Sequence, residues 1–402
     1  MIDKESLKHI IEEQKNQLIR KNSFIGREIK EEIDITLPHA TILSGIRRCG
    51  KSTLLNQLCK KEKKCYYINF EDPRLIDFEV KDFIKLEEVF KQLYGEADYF
   101  FFDEIQNVVS WEIAVRRLLH FKKKCIITGS NAALLSKELG TRLTGRHLRY
   151  EIFPFSYKEF LAFYTLQPNS ASFDEYIKKG GFPEYLQLGK IEILQQLLDH
   201  ILARDVIVRH QIKESVIIKE LIFYLFNNIS KEFSYNKLAK YFNLGSSNTI
   251  RSYISYFEDS YLLFSIPKFD FSYKRQLVSN KKIYGIDTGF ISANSISFSS
   301  DKGKMLENAV FLHLKRKYKD IYFYKEKREC DFIVKEKGKI IMAIQVCYEL
   351  TDENMKREID GLKEAMSMLK IKNGLILTFN QDDNFDNITV MPVWKWVMLR
   401  KD

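Results

Sequence analysis

The sequence of 402 residues predicts an α/β fold whose first half is built on a parallel sheet. Four short apolar runs have strand length, and segments with helical spacing separate them. Strands that alternate with helices form parallel sheets, and ligands bind at the carboxyl ends of such strands. Glycine or polar residues follow each run, which places the candidate functional residues at one edge of the sheet. The runs are Ala40–Leu43, Cys65–Phe70, Tyr99–Phe102 and Cys125–Thr128.

The segment after the first run reads G-I-R-R-C-G-K-S and matches the phosphate-binding pattern G-x-x-x-x-G-K-[S/T]. Glycines allow a tight turn in which backbone N–H groups surround a phosphate, and the following helix directs its positive end at the same anion. A chance glycine-rich turn is the alternative, but the flanking strand and helix argue against it. We therefore predict a nucleoside triphosphate site. Its residues are Gly45, Ile46, Arg47, Arg48, Cys49, Gly50, Lys51, Ser52 and Thr53.

Catalytic roles follow from the residue types in two of these motifs. Lys51 places a charge toward the β- and γ-phosphates, and the Ser52 hydroxyl is a ligand for Mg²⁺. The third run ends in Asp103 and Glu104. We expect Asp103 to hold the Mg²⁺ and Glu104 to act as general base toward the attacking water. The alternative is a buried strand that ends in an acidic turn.

Two further segments carry candidate catalytic residues. Ser130 or Asn131, at the tip of the fourth strand, would sit beside the γ-phosphate, with helix capping as the alternative role. Arg142 and Arg146 are candidates to stabilise transition-state charge, from the same chain or from a neighbouring subunit. An ordinary surface arginine or a carboxylate partner is the competing interpretation for each.

Together, these motifs and the segment G-G-F-P-E at 180–184 resemble a widespread prokaryotic ATPase family. Its members join an ATPase domain of the AAA superfamily to a C-terminal domain of uncharacterised role. The resemblance implies ATP as the nucleotide. The loop residues alone do not indicate the base, because such a loop contacts only the phosphates. The polar, helical pattern of residues 1–35 predicts an N-terminal helix and connector, and the resemblance implies an ATPase core over 36–150 and a helical lid over 151–230.

Residues 231–285 predict a winged-helix domain. Two short helices separated by Asn243–Gly245 form a helix-turn-helix pattern, and an apolar run from Leu262 followed by 268–282 would form the wing. The segment has nine Lys or Arg and four Asp or Glu. Double-stranded DNA is the expected partner, and docking of another protein is the alternative. The candidate DNA contacts are Asn248, Thr249, Arg251, Ser252, Lys274, Arg275, Lys281 and Lys282.

Residues 286–402 have an order of elements that resembles restriction-endonuclease domains. That resemblance implies a metal site made by a helix Glu, a strand Asp and a Glu-x-Lys pair. Glu307 and Asp331 match, but Gln345 and Cys347 stand where Glu and Lys are expected. A thiol cannot replace an ammonium in stabilising phosphorane charge. We therefore expect a degenerate site, unless Lys356 or Lys363 supplies the missing charge; ion pairing of the carboxylates is the structural alternative.

Composition limits the remaining classes of function. The six cysteines have no C-x-x-C spacing, which favours reduced thiols and a cytoplasmic location. No run of 18 apolar residues occurs, so we expect no membrane span. The net charge of +10 suits an anionic partner. The leading hypothesis is an ATPase that controls a DNA-binding C-terminal half, with a homo-oligomer as a candidate assembly. The alternatives are a protein-docking switch and an ATP-dependent nuclease.

Overall fold

The computed structural model describes residues 2–20, 25–62, 64–129, 143, 145–295 and 301–399. The chain divides into two compact units, residues 1–153 and 154–402. Unit 1 contains the four apolar runs and the phosphate-loop motif, and unit 2 contains the helix-turn-helix pattern and the carboxylates Glu307 and Asp331.

Unit 1 is a five-stranded, wholly parallel sheet in the order β2-β3-β4-β1-β5. The prediction of a parallel sheet from the four apolar runs is confirmed. The strands are β1 (Ala40–Ser44), β2 (Cys65–Asn69), β3 (Tyr99–Asp103), β4 (Lys124–Gly129) and β5 (His147–Glu151), and the helices include α1 (Lys4–Arg20), α2 (Lys51–Cys59), α3 (Phe83–Tyr94) and α4 (Trp111–His120).

Strand β5 was not predicted, because its sequence H-L-R-Y-E has no apolar run and every residue in it is only partly buried. It pairs with β1 on the side opposite to β4. Strand order therefore reverses at β1, and parallel α/β sheets bind ligands at such a switch point. The phosphate-loop motif follows β1 directly, so the fold places it there.

An aromatic cluster packs on one face of this sheet. Phe100 and Phe102 of β3 are fully buried and pack against Tyr66, Phe70 and Phe83 at ring-centroid distances of 4.9 to 5.9 Å. Tilted and edge-to-face pairs of this kind stabilise a core beyond the area that they bury. The cluster fixes β3 in the sheet, and with it the two carboxylates at the end of β3.

Unit 2 begins with five helices. A capping box between Ser156 and Glu159 starts the first helix, and a π-helical segment, Leu202–Val208, continues the fourth. The helices are α5 (Tyr157–Tyr164), α6 (Ser170–Lys179), α7 (Pro183–Leu188), α8 (Glu192–Ile201) and α9 (Ser215–Asn227).

The next elements form two helices and a three-stranded antiparallel sheet in the order β6-β8-β7. Ser246 caps the second helix by accepting a hydrogen bond from the Asn248 N–H at 3.1 Å. The segment predicted as a wing contains a short helix between its two strands. The elements are β6 (Glu232–Phe233), α10 (Tyr235–Tyr241), α11 (Ser247–Asp259), β7 (Leu263–Pro267), α12 (Tyr273–Val278) and β8 (Lys281–Gly285).

The remaining residues form a mixed six-stranded sheet in the order β13-β14-β12-β11-β10-β9. Strands β9 to β11 are an antiparallel meander, and β11, β12 and β14 run parallel. The elements are α13 (Thr288–Ala293), α14 (Lys302–Lys317), β9 (Asp320–Lys325), β10 (Glu329–Glu336), β11 (Lys339–Val346), α15 (Met355–Leu369), β12 (Gly374–Thr378), β13 (Asp383–Phe385), β14 (Ile388–Pro392) and α16 (Val393–Trp396).

The G-G-F-P-E segment has a structural role in unit 2. The buried carboxylate of Asp287 caps α13 through the Phe290 N–H at 2.8 Å and accepts the Gly181 N–H at 2.6 Å. A Cβ at Gly180, where φ is +70°, would lie 2.0 Å from Asp287 Oδ1, so only glycine fits.

Among the described helices, none combines the length and apolar character needed to cross a bilayer.

Candidate functional site

The phosphate loop is held in shape from both ends. A Cβ at Gly45 would lie 2.1 Å from the carbonyl oxygen of Ile152, and Gly50 has a φ of +99°, so both positions require glycine. The guanidinium of Arg27 donates to the carbonyl oxygens of Cys49 at 2.8 Å and Phe153 at 2.6 Å. Arg27 is 6% exposed. Its two charge-assisted hydrogen bonds therefore fix the loop against the end of unit 1.

The ammonium group of Lys51 lies inside this loop. Its Nζ donates to the carbonyl oxygens of Gly45 at 3.1 Å and Ile46 at 3.0 Å, and the residue is 4% exposed. Helix α2 begins at Lys51, directly after Gly50, so its free N–H groups face the loop as well. Loop, ammonium and helix N-terminus thus make a concave site for an anion.

Asp103 is the centre of a hydrogen-bond network beside the loop. Its Oδ1 accepts from the hydroxyls of Ser52 at 3.1 Å and Thr128 at 2.5 Å, and its Oδ2 accepts from the Tyr67 hydroxyl at 3.3 Å. The carboxylate is 1% exposed, and this burial raises the pKa of Asp103 above its ordinary value. Three donors fix the carboxylate orientation, as expected of a group that must present an oxygen in one direction.

Glu104 leaves the sheet next to Asp103 in a constrained backbone conformation. Its φ is +50°, and its N–H donates to Thr128 Oγ1 at 2.8 Å. The Gln106 amide donates to Glu104 Oε2 at 2.5 Å. The left-handed conformation turns the chain sharply at the strand end, and Gln106 fixes the carboxylate that the turn presents.

A cavity of about 250 Å³ opens at the side of the site where α1 passes. Ser52 and Asp103 line it, and Ser52 is exposed. The side chains that share this cavity are polar for the most part, which suits a solvated ion and phosphate groups better than an apolar ligand. The other lining residues are Gln14, Gln17, Leu18, Thr53, Asn56, Tyr67 and Asn69.

The donor set fits Mg²⁺. A serine hydroxyl and a carboxylate oxygen stand 3.1 Å apart at the mouth of a phosphate loop, and Mg²⁺ prefers such hard oxygen ligands with phosphates and water completing its shell. Within the described ranges, no group of three or more His, Cys, Asp and Glu side chains has the arrangement of an all-protein metal centre. Ser52 and Asp103 would hold the ion together with a bound nucleotide.

Three further residues were predicted to be catalytic, and the structure describes one of them. Asn131 and Arg142 lie outside the described residues. Arg146 precedes β5, and its carbonyl accepts the N–H of Ala40, the first residue of β1. Five residues of β1, about 17 Å at the usual strand rise, separate that point from Gly45. Arg146 therefore lies at the opposite end of the sheet from the phosphate loop, which does not support a role in the same chain.

Sequence reasoning missed several residues of the site. Arg149 of β5 donates from Nε to Ser44 Oγ at 2.9 Å, one residue before the loop. Arg27 comes from a connector without any motif, and the partners of Tyr67 and Thr128 are long-range. A signal existed for Thr128, because a hydroxyl in an otherwise apolar buried strand needs a hydrogen-bond partner.

In unit 2, the carboxylates of the predicted second metal site surround a lysine. Lys282 of β8 is 2% exposed, and its Nζ lies 2.8 Å from Asp331, 3.3 Å from Glu307 and 2.7 Å from Glu329. The Tyr284 hydroxyl donates to Glu307 at 2.7 Å. Burial alone would lower the pKa of Lys282, but Asp331 and Glu307 raise it well above its ordinary value. The ammonium therefore stays charged and offsets part of the negative charge of the carboxylates.

This arrangement corrects two expectations. Lys282 was predicted to contact DNA phosphates, and it is instead buried in an ion cluster because three carboxylates compete for it. The predicted substitute Lys363 pairs with Asp386 at 3.7 Å and so lies in a different ion pair. The cluster formed by Lys282, Glu307, Glu329 and Asp331 is named the Lys282 cluster below.

Gln345 lies beside the Lys282 cluster. Its carbonyl oxygen accepts the Asp331 N–H at 3.2 Å, and its amide donates to Glu358 at 2.6 Å. Cys347 instead directs its sulfur to the carbonyl oxygen of Glu349 at 2.9 Å. Gln345 thus orders backbone and carboxylate groups around Asp331, and Cys347 has no contact of this kind with the cluster.

The predicted DNA-contacting residues of α11 lie at the surface. Asn248, Arg251 and Ser252 are exposed, and Thr249 is half-buried. The Arg251 guanidinium lies 5.1 Å from the ring centre of Tyr235, and Lys281 Nζ lies 5.6 Å from the same ring. Cations from a helix and from a hairpin therefore meet at one aromatic side chain. Lys274 and Arg275 of α12 are exposed as well.

Comparison with known families identifies the class of the first unit. Residues 38–161 match a family described as an AAA domain. Residues 170–300 and 302–396 match two families described only as domains of unknown function, DUF8612 and DUF4143. The expectation of a P-loop ATPase domain of the AAA superfamily is therefore confirmed.

Two relatives cover nearly the whole chain. An uncharacterised protein of Methanocaldococcus jannaschii is 38% identical, with 98% of this chain and 96% of that protein aligned. An uncharacterised protein of Haemophilus influenzae is 30% identical, with 89% and 94% aligned. The chain belongs to the same family as these proteins.

Similarity to solved structures is loose. AMPPCP-bound DnaA from Aquifex aeolicus aligns with 57% of this chain and 85% of its own, at 15% identity and a TM-score of 0.29. Cdc6p from Pyrobaculum aerophilum aligns with 73% and 98%, at 15% identity and a TM-score of 0.27. At such scores neither alignment supports an inference about what this chain binds.

Proposed function

We propose that unit 1 binds ATP with Mg²⁺ and hydrolyses it. The observation that carries this proposal is the joining of two motifs, distant in sequence, by the hydrogen bond from Ser52 to Asp103. Lys51 lies within the loop whose N–H groups would surround the β-phosphate. A magnesium ion bound by Ser52 and Asp103 would neutralise charge on the β- and γ-phosphates.

Glu104 is the proposed general base. Gln106 orients its carboxylate, and the Thr128 hydroxyl connects its backbone N–H to Asp103. A base in this position takes a proton from the attacking water as the bond to the γ-phosphate forms. Thr128 also contacts both carboxylate residues. We therefore propose Thr128, in addition to Asn131, as a residue that responds to phosphate release.

The test compares Lys51→Ala with Lys61→Ala, an exposed lysine beyond the other end of α2. Phosphate release from ATP and binding of a fluorescent ATP analogue would be measured for both. We expect Lys51→Ala to lose tight binding and turnover and Lys61→Ala to behave as wild type. Equal activity in the two variants would contradict the proposed site.

We further propose that α10, α11 and the β7–β8 hairpin form a winged helix that binds double-stranded DNA, and that nucleotide state controls this binding. The order of two helices followed by a hairpin supports the first part, as does the grouping of Arg251 and Lys281 near Tyr235. DNA affinity should then fall steeply with salt, because each phosphate contact releases counterions.

Anisotropy of a labelled 20-base-pair duplex at several salt concentrations tests this binding. Arg251→Ala and Lys281→Ala should each weaken binding and flatten the salt slope by about one unit. Lys339→Ala, an exposed lysine of β11, is the matched control. Weak affinity at low salt in wild type would favour the second candidate, a nucleotide-dependent switch that docks a protein. If an ATP analogue left the DNA affinity unchanged, that result would contradict the proposal that nucleotide state controls DNA binding.

We propose that the 286–402 domain keeps a restriction-endonuclease-like core without cleaving DNA. Lys282 brings a positive charge that Lys356 and Lys363 were expected to supply, but it stands between Glu307 and Asp331, where a metal would be held. The ammonium therefore takes the place of a metal ion, which supports a site that does not cleave DNA. Incubation of plasmid DNA with Mg²⁺ or Mn²⁺ should give no cleavage. Cleavage that disappeared in Asp331→Ala would establish the third candidate, an ATP-dependent nuclease.

Arg142 and Arg146 remain proposed as residues that act on the site of a neighbouring subunit. The position of Arg146 at the far end of the sheet is compatible with action on another copy. Light scattering with and without ATP tests the required assembly. A monomer under both conditions would exclude that role.

A further inference from the structure

Two thiols meet at the end of the phosphate-loop helix that is far from the loop. Cys59 is the last residue of α2 and Cys65 is the first residue of β2, and their sulfur atoms lie 2.6 Å apart. They lie six positions apart in the sequence. The sulfur separation in a disulfide is about 2.0 Å, so a small movement would bring these atoms to bonding distance.

The surroundings of the pair give a small molecule access to it. Both cysteines line a cavity of about 280 Å³. Lys15, Lys60 and Lys64 line the same cavity, and Glu62 is the carboxylate among its lining residues. A hydrogen bond from Cys59 lowers the pKa of the Cys65 thiol, and Lys15 acts in the same direction. Cationic, accessible surroundings of this kind favour the thiolate, which is the reactive form.

We propose that Cys59 and Cys65 are a reversible redox site that closes to a disulfide in the presence of a peroxide. The Cys65 thiolate attacks one oxygen of hydrogen peroxide, the O–O bond breaks, and a sulfenic acid and hydroxide form. The Cys59 sulfur then displaces the sulfenic oxygen, which leaves as water with the Cys59 proton. In total two thiols are oxidised, one S–S bond forms and one peroxide is reduced to two waters.

The site has a direct structural connection to the nucleotide site. Helix α2 runs without interruption from Lys51 to Cys59. On β2, Tyr67 lies two residues after Cys65 and so on the same face of the strand, and its hydroxyl contacts Asp103. The disulfide would therefore fasten the helix that carries Lys51 and Ser52 to the strand that carries Tyr67. Formation of this disulfide does not depend on ATP binding, because only the two thiols react.

The test uses the full-length protein without nucleotide. Hydrogen peroxide treatment, alkylation and mass spectrometry should show four alkylated cysteines where the reduced protein has six, and a cross-linked peptide pair containing Cys59 and Cys65. Dithiothreitol should restore all six. Cys347→Ser, which removes a half-buried thiol in unit 2, should leave the cross-link unchanged.

A second variant separates the proposed chemistry from simple accessibility. In Cys59→Ser the Cys65 sulfenic acid has no partner, so a dimedone adduct should appear at Cys65 after peroxide treatment. Wild type should show little adduct there. Cys65 that remained alkylatable after peroxide in wild type, or that paired with a different cysteine, would overturn the proposal.

Discussion

Replacing Lys282 with methionine should destabilise unit 2 strongly. Methionine keeps most of the side-chain volume and removes the charge, which leaves Asp331, Glu307 and Glu329 facing one another. Lys282 and Asp331 have side chains only 3% and 8% exposed, so water cannot replace the lost partner. Breaking a buried pair on one side costs about 3–5 kcal/mol. For a unit of this size, each kcal/mol lowers the midpoint temperature of thermal unfolding by roughly 2–4 °C. The midpoint of Lys282→Met should therefore fall by about 6–20 °C.

Thermal unfolding followed by circular dichroism measures this change, and hydrogen exchange of β8 and β10 locates it. Lys363→Met is the matched control, because its ion pair with Asp386 is at the surface, with side chains 49% and 85% exposed. Such pairs contribute about 0–1 kcal/mol. The double variant Lys282→Met/Asp331→Asn should recover part of the loss, since it removes one of the unpaired charges. A Lys282→Met protein as stable as Lys363→Met would refute this reasoning.

Three further predictions concern single residues. Glu104→Gln should bind ATP normally and release no phosphate, as checked by binding and turnover assays on the same preparation; normal turnover would remove Glu104 from the base role. Arg27→Met should weaken ATP binding roughly tenfold or more, because it removes two charge-assisted hydrogen bonds, whereas Arg74→Met, an exposed residue in unit 1, should not. Burial raises the pKa of Asp287 from 3.8 to about 6. Between these values the folded state holds the extra proton, so stability falls as pH rises from about 4 to 6. The stability advantage of wild type over Asp287→Asn should shrink across that range, and a constant difference would contradict the assignment.

Local sequence signals were sufficient for the core of unit 1. The loop 45–52 and the strand that ends in Asp103 combine a motif with an apolar run, and both signals depend on neighbouring residues. Strand β5 lacks such a run, because it lies at the sheet edge and is only partly buried. The hydrophobic pattern therefore does not predict this strand, although the strand positions Arg146 and Arg149.

The sequence did not predict the long-range contacts of buried cationic side chains. Charge alone predicts a DNA contact for Lys282, since nothing in its neighbourhood indicates three carboxylates that lie 25 to 49 residues away. Arg27 is a similar case, because its acceptors are backbone carbonyls. Sequence patterns indicate motifs and elements whose signal lies in neighbouring residues, and they do not indicate a side chain whose role depends on tertiary partners alone.

The measurement that tests the central claim most directly is titration calorimetry of the full chain with a non-hydrolysable ATP analogue and Mg²⁺. We predict one nucleotide bound per chain in wild type, weaker binding when Mg²⁺ is removed, and no measurable binding in Lys51→Ala. Absence of binding in a folded wild-type protein, or equal binding in Lys51→Ala, would contradict the assignment of residues 45–53 as the nucleotide site.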